Sequence, residues 1–171
     1  IDRRNRRCST YDVMVGDAPL RDAIVATAVP RLSLAPSTMD LSGLELEIGQ
    51  AKDRAYRLRS ATAPLNAGKF VGVNDFSYVL VDCPPSLNLL TVNAMAAANA
   101  ILVPLQCEFF ALEGLSQLLQ TVEQVKTTLN PTLSIHGIVL TMYDSRNNLS
   151  NQVVADVRQF IANDGWLGRH Q

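Results

Sequence analysis

The chain has 171 residues, of which 47% are hydrophobic and 18% charged, with a formal net charge of −1. That composition excludes a disordered chain and a whole-surface electrostatic grip on nucleic acid, and it supplies enough apolar material for one domain with its own core. Three cysteines (Cys8, Cys83 and Cys107) with no C-x-x-C pair exclude a disulfide framework or a zinc site, and no apolar run approaches the roughly 20 residues of a membrane span.

Cysteine usage of this kind points to a reducing cytoplasm. The chain opens on Ile1-Asp2-Arg3-Arg4, with neither an initiator methionine nor a signal-peptide pattern, and reads as an excerpt from a longer protein. Arg3, Arg4, Arg6 and Arg7 have no aromatic or periodic apolar partner, so a solvated basic loop is expected in preference to a phosphate or DNA patch. Ser9 or Thr10 is placed to cap a short helix through Val15 that stops at Gly16. A second short helix is expected from Pro19 to Ala26, then a brief strand at residues 32–35 ended by Pro36. Leu41, Leu44, Ile48, Ala51, Ala55 and Leu58 recur at spacings of three and four and predict one long helix. Its Lys52, Arg54, Arg57 and Arg59 fall mostly on the other side, as a solvated face. Pro, Asn and Gly dominate residues 63–74, which read as a loop. Gly68-Lys69 within it is not a phosphate loop, because Ala63 stands where the first glycine is needed and Phe70 follows the lysine.

Tyr78, Val79, Leu80 and Val81 then form an apolar run suited to a strand buried on both faces, as in a parallel sheet. It ends in Asp82, then the turn Cys83-Pro84-Pro85, then Ser86 as a helix cap. Pro84 holds Cys83 extended and Pro85 carries no amide hydrogen. Asp82 is therefore expected at the sheet edge where open α/β folds place ligands. From these residues alone it is equally well a metal–phosphate acid or an acid accepting amides of the next turn.

A strongly apolar helix is expected from Leu87 to Ala98, a buried strand over residues 100–104, and a polar exit at Gln106-Cys107-Glu108. An amphipathic helix from Leu112 to Leu129 follows, then a strand over residues 135–141 and a final helix from about Ser150. Apolar strands alternating with helices predict βαβ units, a mostly parallel sheet and helices on both faces. Cys83 and Cys107 read as small core residues and His136 as a packing residue. Glu108 and Glu113 read as exposed acids, with a supporting role at the sheet edge as the sharper alternative.

Residues 78–86 (YVLVDCPPS), the helix after them, residues 103–108 (VPLQCE) and residues 138–150 (IVLTMYDSRNNLS), in that order, resemble the ParA/Soj family of partition ATPases, deviant-Walker P-loop proteins related to MinD. The resemblance implies a P-loop NTPase fold and an ATPase that uses Mg²⁺. It makes Asp82 the acid that holds Mg²⁺ through water, and puts Pro84 in the turn that responds to the γ-phosphate. Thr141 and Met142 would lie near the adenine base, and Arg146 is a weaker candidate for a phosphate or the dimer partner. No individual catalytic residue is assigned. The resemblance further implies an ATP-dependent homodimer, non-specific DNA binding, a ParB-type centromere-binding partner and a cytoplasmic, nucleoid-associated location without stable membrane attachment. It places the glycine- and lysine-rich phosphate loop before residue 1 and fades after Phe160, so residues 1–171 are expected to form a single partial domain with a divergent tail from about residue 161. These residues by themselves are expected to be inactive. A non-catalytic interaction module and a MinD-like division-site ATPase are the alternatives. The latter needs a C-terminal amphipathic membrane helix that the last residues do not show.

Overall fold

The structure, a computed structural model, describes residues 7–66, 76–84, 86–108 and 110–164. The chain divides into two compact units, Ile1–Ala97 and Ala98–Gln171.

In the first unit, helix α1 (Thr10–Val15) starts where expected. Asp12 explains why: its carboxylate accepts the Ser9 amide at 2.6 Å and the Ser9 hydroxyl at 2.7 Å, satisfying the helix entrance. Gly16 closes the helix at φ 102°, a left-handed value that favours glycine. Helix α2 (Leu20–Ala23) is shorter than expected. Ile24 turns extended, and Val25–Ala26 becomes strand β1, paired antiparallel with β2 (Ser33–Leu34). Two β-branched residues in succession favour that exit.

The expected long helix is not continuous. Met39–Gly43 is a 3₁₀ turn, α3 covers Leu44–Ile48, and α4 starts at Arg57 and runs to Asn66. The apolar face nevertheless assembles: Leu44 and Ile48 are buried with Met14, and Leu41, Ala51 and Leu58 pack against them. Burial of those side chains therefore does not depend on one straight axis. Two features accompany the break: a glycine sits on either side of α3, and the fully buried Asn93, distant in the chain, takes up backbone groups near the start of α4. Its Nδ2 donates to the carbonyls of Arg54 (2.8 Å) and Leu89 (2.9 Å), and its Oδ1 accepts the Leu58 amide at 3.3 Å. Ala63 and Pro64, expected in a loop, belong to α4, while Gly68-Lys69 lies outside the described residues. Asn93 belongs to helix α5 (Leu89–Ala97), whose Ala94, Met95 and Ala96 are also buried.

The second unit is a βαβ unit followed by a helix: β3 (Ala100–Gln106), α6 (Ala111–Thr128), β4 (Ser134–Thr141) and α7 (Asn148–Asp164). β3 and β4 are parallel, and the register slips by one residue between Ile101↔Ile135 and Leu102↔Gly137. The extra residue is His136, which is exposed. It is a bulge residue and not the packing residue its apolar neighbours suggest. The slip changes which alternate positions of β4 face inward, so Ile135, Ile138 and Leu140 all join Ile101, Val103 and Leu105 in one core with α6 and α7. Leu115, Leu119, Val153 and Val157 are buried there. The described helices of this unit cover that face of the pair. On the other, Leu102 and Val139 remain exposed.

Candidate functional site

The apolar run before Asp82 forms no strand. Tyr78, Val79, Leu80 and Val81 pair with no other described strand, and their exposures are 86, 55, 92 and 45%. This corrects the expected buried strand. A strand exists only where a neighbour receives its amides and carbonyls, and composition does not supply that neighbour.

Asp82 and Pro84 are exposed. Among the described residues, no hydrogen bond or ion pair engages the Asp82 carboxylate. The turn-capping alternative therefore has no support there, because a different residue does the capping. Asn88 Oδ1 accepts the amides of Leu90 (3.1 Å) and Thr91 (3.2 Å), and the buried Thr91 hydroxyl donates to the Ser86 carbonyl at 2.6 Å. Ser86, the expected cap, contributes its carbonyl instead, and α5 opens at Leu89. An Asn just before an apolar helical run is a readable cap signal that the nearer serine obscured. Cys83 is exposed, which corrects its reading as a core residue, whereas Cys107 is buried as expected. Partial desolvation of its sulfur, and then the charge of Asp82, raise the Cys83 thiol above its ordinary pKa, so it is a poor thiolate.

The other two candidates lie in the second unit. Thr141 ends β4, and its carbonyl accepts the Cys107 amide at 3.2 Å. Met142 follows at φ 55° with 78% of its surface exposed. A left-handed non-glycine residue costs of order 1–3 kcal/mol and persists only where its surroundings impose it. The loop that follows it is held by side-chain hydrogen bonds: Tyr143 Oη donates to Asn151 Oδ1 at 2.8 Å, and Asn151 Nδ2 donates to the Ser145 carbonyl at 3.0 Å. Asp144 accepts the Arg146 guanidinium at 3.1 and 3.0 Å and its amide at 2.9 Å. The hydrogen bonds of that pair lower the Asp144 pKa and raise that of Arg146, so the arginine is already engaged within its own loop. Glu108 accepts Gln106 Nε2 at 2.6 Å, and Glu113 is exposed.

Each pair of candidates is thus adjacent within its own unit: Asp82 with Pro84, and Thr141 with Met142. Among the described residues no group of three or more His, Cys, Asp or Glu side chains is arranged to hold a metal ion. A lone, unengaged carboxylate still suits Mg²⁺, which keeps several waters and is bound through one or two carboxylates plus phosphate oxygens. An open cleft of about 690 Å³ in the first unit, lined by Arg7, Asp12, Asp17, Arg21 and Asp22 among others, contains neither pair. Its Asp12 is committed to Ser9, whose side-chain and backbone hydrogen bonds hold the carboxyl below its ordinary pKa. No helix among the described residues is long and apolar enough to cross a membrane.

A family model described as an AAA domain matches residues 1–135. The chain is 57% identical over 158 residues to the chromosome partitioning protein ParA of Caulobacter vibrioides, covering 92% of this chain and 57% of that protein. It is 43% identical over 161 residues to the sporulation initiation inhibitor protein Soj of Bacillus subtilis, covering 94% and 61%. Among solved structures, cobyrinic acid a,c-diamide synthase of Mycobacterium smegmatis with bound ADP and magnesium superposes with a TM-score of 0.81 at 37% identity, covering 92% of this chain and 61% of that one. The chain spans a little over half the length of the curated relatives it matches. The α/β class expected from the strand–helix alternation, and the P-loop NTPase type that the resemblance implied, are those of these relatives. With the family match over residues 1–135 and the partitioning proteins among its relatives, the chain belongs to the AAA-domain family, within the ParA/Soj/MinD-like superfamily of P-loop ATPases.

Proposed function

We propose that this chain is the part of a ParA/Soj-type partitioning ATPase that carries the metal-binding acid and the base-facing end of one strand. The observation that carries the reading is the exposed Asp82 carboxylate, unengaged among the described residues, at the head of the sequence Asp-Cys-Pro-Pro. Magnesium, when bound with ATP, neutralises phosphate charge and orients the γ-phosphoryl group for hydrolysis. Asp82 would hold that ion through an intervening water. Pro84 shapes the chain beyond the acid and holds Cys83 extended. Thr141 and Met142 would border the base. The whole protein would dimerise around ATP, bind DNA without sequence preference and respond to a ParB-type centromere-binding partner. Its place would be the cytoplasm, on the nucleoid.

Isothermal titration tests this. The glycine-rich lysine loop of P-loop ATPases does not occur at Gly68-Lys69, so residues 1–171 alone are expected to show no measurable Mg·ATP binding. Tight binding by those residues would overturn that part. The reading frame upstream of Ile1 discriminates further: a glycine-rich lysine loop encoded there supports the ATPase, in which case a longer protein carrying it should bind nucleotide, and its absence leaves a non-catalytic module. In that longer protein Asp82→Ala should weaken Mg·ATP by roughly 10–100-fold while leaving metal-free ATP nearly unaffected. Equal losses with and without magnesium would sink the role given to Asp82.

A further inference from the structure

We propose that Asn151, on the first turn of α7, is the positioning residue that presents Met142 to the nucleotide base; this rests on the reading that Thr141 and Met142 border that base. Three observations meet at this point. Met142 is held left-handed although it is not glycine, and its side chain is largely exposed, so burial does not compensate its conformation. It sits directly after the last residue of a parallel strand, on the carboxyl edge where such sheets take ligands. And one side chain secures the loop beyond it on both sides: Asn151 accepts the Tyr143 hydroxyl and donates to the Ser145 carbonyl. Its own amide donates to the Asn147 carbonyl at 3.2 Å, which fixes Asn151 to the helix entrance.

The chemistry is particular to an amide. Aspartate keeps the acceptor for Tyr143 but has no donor for Ser145; alanine has neither. The Asp144–Arg146 pair stiffens the middle of the loop, and the Asp144 carbonyl accepts the amide of Asn147, whose side chain caps α7 at Leu149; Asn151, on α7 itself, bonds Tyr143, the residue next to Met142. What is presented is a polarizable, unbranched thioether, suited to lie against the flat face of a purine. Positioning of this kind acts on the base and leaves the phosphate end of the ligand untouched.

The probes are Mg·ATP and Mg·tripolyphosphate, which has the phosphates without the base, titrated into the longer protein translated from upstream of Ile1. Asn151→Ala should weaken Mg·ATP about tenfold and Tyr143→Phe about threefold, with Mg·tripolyphosphate within twofold in both. In steady-state hydrolysis the loss should fall on KM, with kcat within twofold. Tyr143→Phe deletes a single oxygen and keeps the proposal testable if Asn151→Ala does not fold. Unchanged ATP affinity in both variants would overturn the proposal, and so would equal weakening of the two probes, which marks a merely structural role. If the unsubstituted protein binds ATP no better than tripolyphosphate, the base-facing reading itself fails and takes this inference with it.

Discussion

Residues 78–81 and residues 100–105 are close to interchangeable as sequence: short apolar runs, each leading to a polar residue and each followed by a helix. Their fates differ completely. The second is strand β3, paired along its length with β4 and packed through Ile101, Val103 and Leu105 onto α6 and α7. The first stands exposed and unpaired among the described residues, with Leu80 at 92% exposure. An apolar run therefore expresses a capacity for pairing, and whether a strand results depends on a partner elsewhere in the chain. β3 has one because α6 returns the chain to lay β4 beside it.

The contrast is broken or sharpened by substitution. Leu115→Ala, beneath β3 at 1% exposure, should cost about 3–4 kcal/mol in urea denaturation, the range for an aliphatic side chain removed from a close-packed core. A cost below 1 kcal/mol would mean that the second unit is loosely packed. Asn93→Ala should cost about 2–3 kcal/mol, because the Arg54 and Leu89 carbonyls and the Leu58 amide lose their partner in a buried setting. That change tests whether the helix after the exposed run is held by its own unit. Asp12→Ala removes the cap of α1 and should cost about 1 kcal/mol. Because the folded-state pKa of Asp12 is lowered, its contribution is present above the unfolded carboxylate pKa and is lost as pH falls through the folded one. The Asp12→Ala penalty measured at neutral pH should therefore shrink in acid. A penalty independent of pH would argue against the Ser9 hydrogen bonds. Leu80→Asp should cost less than about 0.5 kcal/mol and improve solubility, as for an exposed position on an unpaired segment. A loss above 2 kcal/mol would show that residues 78–81 are paired after all.

Much of the fold is legible in the chain because periodicity and caps are local. The apolar repeats of α6 and α7 appear within two or three residues of their predicted bounds, as do strand β4 and the Gly16 stop. Identification of the family followed from residues 78–86 and 138–150 read together, since a motif order survives even where one of its strands is not formed. The break between α3 and α4 was not legible, because it turns on glycines beside α3 and on an asparagine more than 30 residues away. Nor was the bulge at His136, since a slip in register belongs to two strands and neither shows it alone. The grip of Asn151 on the loop after β4 was missed because side-chain hydrogen bonds leave no periodic trace.

By itself the sequence determined which segments are able to bury apolar surface, where helices α1 and α6 start and stop, and which carboxylate stands at the end of an apolar run. Those properties are set by each residue and its near neighbours through sterics, hydrogen-bonding capacity and side-chain spacing. Tertiary structure alone decided that β3 is a strand while residues 78–81 are not. It also decided that the apolar repeat breaks between α3 and α4, where the distant Asn93 takes up backbone groups, and that Met142 takes a left-handed backbone. The physical reason is common to all three: a backbone polar group or an unfavourable dihedral is settled by the partner that meets it, and that partner is chosen by the fold.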